Sequence, residues 1–168
     1  NSAKLKPIYA SGWSYRINLE GVLSYSGGKK DKSHSYIQLY RNGIIEAVEG
    51  LMLSAGKEKK YIPSVAYEKE LIKSLTEFLN LAKELGINMP IVIFLTLIGV
   101  EDYEMGVDGM RFLTSEYYKI DRDILQLPET IIESYDTDPK DILRPMFDLV
   151  WNTCGFQRSY NFDEAGNW

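Results

Sequence analysis

The tightest constraint on how this chain can fold is Asn42-Gly43. The pair lies between two β-prone runs, Tyr36-Ile-Gln-Leu-Tyr-Arg41 and Ile44-Ile-Glu-Ala-Val-Glu-Gly-Leu-Met-Leu53. Both residues tolerate the positive φ of a type I′ turn, so the spacing predicts an antiparallel hairpin. Upstream, residues 14–25 alternate. Tyr15, Ile17, Leu19, Leu23 and Tyr25 fall on one face, with Ser14, Arg16, Asn18, Glu20 and Ser24 on the other. That is the period of a half-buried strand. The expected start is therefore a three-stranded antiparallel meander, with Gly27-Gly28-Lys29-Lys30-Asp31-Lys32 looping between its first two strands.

The periodicity then changes. Pro63-Ser64 opens a predicted helix to about residue 85, with Leu71, Leu75, Phe78, Leu79, Ala82 and Leu85 at helical spacing and Gly86 at its stop. The apolar run at residues 90–100 reads as a strand covered on both faces, with residues 110–113 as a short partner strand. Leu127-Pro128-Glu129 begins a short predicted helix ending near Ser134. Asp138-Pro139-Lys140-Asp141 begins a longer one: Asp at the N-cap, Pro at the first position, an acid in the first turn. It carries Ile142, Leu143, Met146, Phe147 and Val150 and stops at Gly155. Strands first and helices after give an α+β class. At 168 residues, 45% hydrophobic and 26% charged, one globular domain over residues 1–168 accounts for the whole chain.

Cys154 is the only cysteine, so no intramolecular disulfide can form and a reducing, cytoplasmic setting is expected. No signal-peptide pattern opens the sequence, and the run at 90–100 is about half the length of a membrane helix. The chain starts at Asn1 without Met, and a fragment of a longer protein is the expectation.

The net charge of −5 conceals an asymmetry. Residues 1–60 carry ten Lys/Arg against five Asp/Glu, residues 61–100 three against four, and residues 101–168 six against fifteen. In a meander, the loop bearing Lys29, Lys30 and Lys32 shares a sheet edge with the loop bearing Lys57, Lys59 and Lys60. A nucleic-acid backbone or another polyanion could dock on that basic edge, and two solvated loops are the simpler alternative. Downstream, Glu101, Asp102, Glu104 and Asp108 follow the 90–100 strand and could hold Mg²⁺ or Ca²⁺ for a phosphodiesterase or nuclease, although the EF-hand spacing fails. Glu58-Lys59-Lys60 contains an E-x-K, but in a lysine-rich turn rather than on a core strand. Phosphate-loop and serine-elbow motifs are missing from the sequence, and one His34 with one Cys154 cannot build a zinc site. Tyr36 and Tyr40 share a face with Gln38. Packing against the long helix explains them more simply than base stacking does.

Two stretches resemble a known family. They are Tyr36-Ile-Gln-Leu-Tyr-Arg-Asn-Gly-Ile-Ile-Glu-Ala-Val48 and Leu143-Arg-Pro-Met-Phe-Asp-Leu-Val-Trp-Asn-Thr-Cys-Gly-Phe-Gln-Arg-Ser-Tyr-Asn-Phe-Asp-Glu-Ala-Gly-Asn-Trp168. Together they resemble the region downstream of the Schlafen/AlbA-type DNA-binding domain in bacterial proteins described as ATP-binding or transcriptional-regulator-like. Neither stretch is a catalytic signature, and the AlbA-like module itself is not in this sequence. The resemblance implies a non-catalytic accessory, sensor or dimerisation domain. It would work in cis with that module and contact DNA through the parent protein; the residues themselves lead to the expectation of no cofactor and no membrane. Within the second stretch, Gly155 allows the chain to reverse. Trp151, Phe156, Tyr160, Phe162 and Trp168 then form either a clasp over the domain or an aromatic interface for a partner or a second protomer.

Overall fold

Four strands, β1 (Trp13–Ile17), β2 (Gly21–Ser26), β3 (Ser35–Tyr40) and β4 (Ile45–Glu49), form one antiparallel sheet in that order. They belong to a computed structural model that describes residues 5–27, 33–53, 60–107 and 118–168. The sheet has four strands rather than the expected three because residues 14–25 are two strands folded back at 18–21. Asn18 Oδ1 accepts the Gly21 N–H at 2.8 Å, and the Asn18 N–H donates to Gly21 O at 3.0 Å. Gly21 has φ +152°, and a Cβ there would lie 2.1 Å from Leu39 O, so only glycine lets β2 begin this close to β3. The register pairs Tyr15 with Ser24 and Arg16 with Leu23. Tyr15 and Ile17 therefore lie on the opposite face from Leu23 and Tyr25. A period-2 count runs through such a turn without registering the reversal.

Between β3 and β4 the Gly43 N–H donates to Tyr40 O at 3.0 Å and the Tyr40 N–H to Ile44 O at 2.8 Å. Gly43 alone in this turn has positive φ, +89°, so three residues make the connection instead of a two-residue type I′ pair. One sheet face buries Ile37 with Val22, Leu39, Ile45 and Ala47 against Leu5 and the helix residues Phe78 and Leu81. Tyr36, Gln38 and Tyr40 face the other way, which corrects the packing expected of the tyrosines. The two tyrosine hydroxyls donate to the Glu46 carboxylate, from Tyr36 at 2.8 Å and from Tyr40 at 3.4 Å.

A short β5 (Tyr61–Pro63) leads into α1 (Ser64–Glu84), the predicted long helix, which ends before Gly86 at φ +71°. Leu75, Leu79 and Ala82 of its stripe are buried, whereas Leu85 is exposed. Phe78 and Leu81 reach the sheet, while Tyr67, Leu75 and Leu79 belong to the larger core. The helix is thus the wall shared by both apolar clusters.

The run at 90–100 is not one buried strand. It divides into β6 (Ile91–Ile93) and β7 (Thr96–Ile98), with Val92, Phe94 and Ile98 exposed. Among the described residues each has one partner strand, and each alternates instead of being covered on both faces. Next comes β8 (Glu104–Gly106), parallel to β5. β9 (Ile124–Gln126) pairs with β7, and β10 (Thr130–Ile132) with β6. The latter replaces the short helix expected after Leu127: the β-branched Ile131-Ile132 pairs with Val92 and Ile91, and that pairing outweighs the Pro-Glu helix-start signal. The expected strand at 110–113 lies outside the described residues.

The chain closes on α2 (Pro139–Thr153), with Asp138 Oδ1 accepting the Lys140 N–H at 2.9 Å as the N-cap. Ile142, Leu143, Met146, Phe147, Val150 and Trp151 are all buried in the larger core.

Candidate functional site

β1 is the least covered element of the sheet. It lies at an edge, and beyond Trp13 every residue is exposed, with Tyr15 at 56% and Ile17 at 75%. Leu19, in the turn that follows, is 86% exposed. The bond pattern fixes which backbone groups are open. The Asn18 N–H reaches Gly21 O, and Gly12 O accepts the Gly27 N–H. By antiparallel alternation Ser14 and Arg16 also bond inward to β2, so the N–H and C=O groups of Trp13, Tyr15 and Ile17 point away from the sheet. The side chains of the same three residues share the face on which α1 packs. A groove opens there between Trp13 and the helix residues Glu77, Asn80, Leu81 and Lys83. The Lys6 ammonium stands 5.9 Å from the Trp13 ring and partly covers it. The opposite edge, β4, carries Glu46 and Glu49, charges of the kind that discourage edge pairing. β1 carries one charge, Arg16, and it lies on the other face.

A second feature is built by the C-terminal segment. Glu68, on α1, is fully buried. Its Oε1 accepts the Trp151 indole N–H at 2.8 Å and the Ser159 hydroxyl at 2.7 Å, and its Oε2 accepts the Trp168 indole N–H at 2.7 Å. Three donors, one from α2 and two from the segment that returns after it, satisfy a carboxylate that would otherwise be costly to bury. The segment is fixed along its length. Asp148 Oδ1 accepts the Ser159 N–H at 2.7 Å, Arg158 donates to Phe162 O at 2.8 Å, and Asp163 accepts from Asn167. The Arg144 guanidinium lies 5.1 Å from the Phe162 ring. Of the five aromatics considered for an interface, Trp151, Phe156 and Phe162 are buried within the chain, Trp168 is partly covered, and Tyr160 is 47% exposed.

The candidate charged sites fare unequally. Lys29, Lys30, Lys32, Lys57 and Lys59 lie outside the described residues. Lys60 is held by the acidic loop, with its ammonium 3.3 Å from Asp102 Oδ2 and 3.1 Å from Glu101 O. Glu104 is 3.7 Å from Lys119, and Asp108 lies outside the described residues. Among the described residues no group of three His, Cys, Asp or Glu is placed to hold a metal ion. Cys154 is buried in the core, and burial pushes its thiol up to about 11, far from a reactive thiolate. No helix among the described residues is long and apolar enough to cross a membrane.

Neither the β1 edge nor Glu68 was singled out from the sequence. Glu68 had a legible signal: it falls three residues before Leu71 and seven before Leu75, on the apolar stripe of α1. The β1 edge had none, because the run containing it reads as one strand. No family model matches the chain, and neither the curated proteins nor the solved structures give a significant match.

Proposed function

We propose that this chain is a non-catalytic accessory domain of a larger DNA-binding regulator and that it acts through protein contact at the β1 edge. The observation that carries the reading is the open strand itself: outward-pointing backbone groups at Trp13, Tyr15 and Ile17 beside exposed apolar side chains. An uncovered apolar edge invites strand addition and is normally blunted or covered in a soluble domain. The regulator context is supported by the resemblance of residues 36–48 and 143–168 to the region that follows AlbA-type modules. The geometry also accounts for why the second of these stretches is so particular in composition: Trp151, Ser159 and Trp168 are the ligands of Glu68. The aromatic run thus serves the fold and leaves recognition to the edge. Of the lysine-loop residues, Lys60 alone lies among the described residues, and there it pairs with Asp102.

The test is to titrate the chain with an AlbA-like module of the parent protein and follow its backbone amides. Shifts concentrated on residues 13–19 are expected. Turnover of nucleotide or nucleic acid by the chain alone, lost on replacing a single acidic residue, would overturn the reading.

A further inference from the structure

Resting on that reading, the geometry points to a definite occupant of the edge: we propose that β1 pairs antiparallel with β1 of a second copy of this chain, with Tyr15 opposite Tyr15 across a two-fold axis. The register follows from the backbone. Residues facing each other across an antiparallel ladder must lie on the same sheet face, and only Trp13, Tyr15 and Ile17 offer outward N–H and C=O groups. Centring on Tyr15 uses all three. The two tyrosines exchange one pair of bonds, and Trp13 exchanges a pair with Ile17 of the second copy on each side of the axis. The strand is self-complementary in the sense an isologous interface requires.

The side chains fit the same register. On the helix-bearing face, Trp13, Tyr15 and Ile17 from each copy make one continuous apolar stripe, and Ile17 meets the Trp13 that walls the groove against α1. This covers the two exposed apolar residues of the strand. On the other face, Ser14 stands opposite Arg16 of the second copy, so the only charge on the strand faces a hydroxyl and not its own image. A register centred on Arg16 would place two guanidinium groups opposite each other and would turn inward-bonded backbone toward the partner. The β4 edge is the poorer candidate, because it carries two carboxylates, Glu46 and Glu49, charges of the kind that discourage strand addition. The result is a continuous eight-stranded sheet with both α1 helices on one side.

Sedimentation equilibrium of the whole chain tests this, with three variants that separate pairing from folding. A reversible monomer–dimer equilibrium is expected. Ile17→Lys should weaken association by about tenfold or more, since a lysine on an edge blocks strand addition. Ser14→Asp should strengthen it roughly fivefold by adding two Asp–Arg16 cross-strand pairs, an effect no other register gives. Tyr15→Cys should crosslink into a covalent dimer under mild oxidation, because facing residues in a hydrogen-bonded pair lie about 5.5 Å apart. A folded chain that stays monomeric at every soluble concentration, together with a Tyr15→Cys variant that does not crosslink, overturns the inference. If residues 13–19 of that monomer still respond to the AlbA-like module, the accessory reading survives and the occupant is the parent protein instead.

Discussion

Trp168 donates its indole N–H to Glu68 Oε2 at 2.7 Å, joining the last residue of the chain to the first third of α1 across 100 positions. Trp151 and Ser159 complete the shell around the same carboxylate. This contact ties the C-terminal segment to the helix that also supports the sheet, so it bears on the stability of the whole domain.

Truncating that shell should be costly. Trp168→Phe removes one charge-assisted bond and should destabilise by about 1.5–3 kcal/mol. Glu68→Gln presents an amide N–H to one of the donors and should lose at least as much, about 2–3 kcal/mol. Urea unfolding followed by circular dichroism measures both. Full stability in Trp168→Phe would mean that the clasp contributes nothing.

Tyr67 should behave in the opposite way. Its hydroxyl is buried with no hydrogen-bond partner among the described residues, so Tyr67→Phe should leave stability at neutral pH unchanged or raise it by about 1 kcal/mol. The ring packs edge-on to Phe147 at 5.6 Å, a contact that Phe retains. A loss above about 1 kcal/mol would show that the hydroxyl has a role after all.

Alkaline pH should weaken the fold. Burial, aided by the Glu68 charge, holds the Tyr67 phenol well above its ordinary 10.0, and burial holds the Cys154 thiol at about 11 against 9.0. Both groups keep their protons in the native state at pH values where the unfolded chain releases them. Their contribution is fully present below about pH 9 and falls as pH rises, first through the 9–11 interval for Cys154 and above 10 for Tyr67. Thermal midpoints from pH 7 to 11 should decline late, and Tyr67→Phe should flatten the last part of that decline. A flat profile through pH 11 would contradict the burial of both groups.

Gly21 is the most sensitive position in the sheet. Gly21→Ala forces a Cβ against Leu39 O at a φ that side chains avoid, and a loss of about 2–4 kcal/mol is expected from denaturant midpoints. Tolerance of alanine would mean that the β1–β2 turn is not as tight as its 2.8 Å Asn18 contact indicates.

Local signals were legible where one residue type decides the outcome. Asp138-Pro139 at a helix start and Gly86 at a helix stop are of this kind, and both helices lie where their spacing places them. The signals failed where a partner strand decides. Residues 14–25 and 90–100 each read as one strand, because a turn interrupts periodicity only when its residues are conspicuous, and Asn18-Leu-Glu-Gly21 is not. Residues 130–132 became a strand through β6, which no local count foresees. The exposed edge was hidden for the same reason, since an edge is a property of the whole sheet. The aromatic run at 151–168 was visible, but its three contacts to a glutamate more than 80 positions away were not.

Amide exchange along β1, residue by residue, tests the central claim most directly. In the dilute chain, the amides of Ser14 and Arg16 should be protected by β2, while those of Trp13, Tyr15 and Ile17 exchange freely. Raising the protein concentration, or adding the AlbA-like module, should protect the three odd-numbered amides and leave the even-numbered pair unchanged. Protection of all five in the dilute chain, or no change at Trp13, Tyr15 and Ile17 under either condition, would contradict an open docking edge at β1.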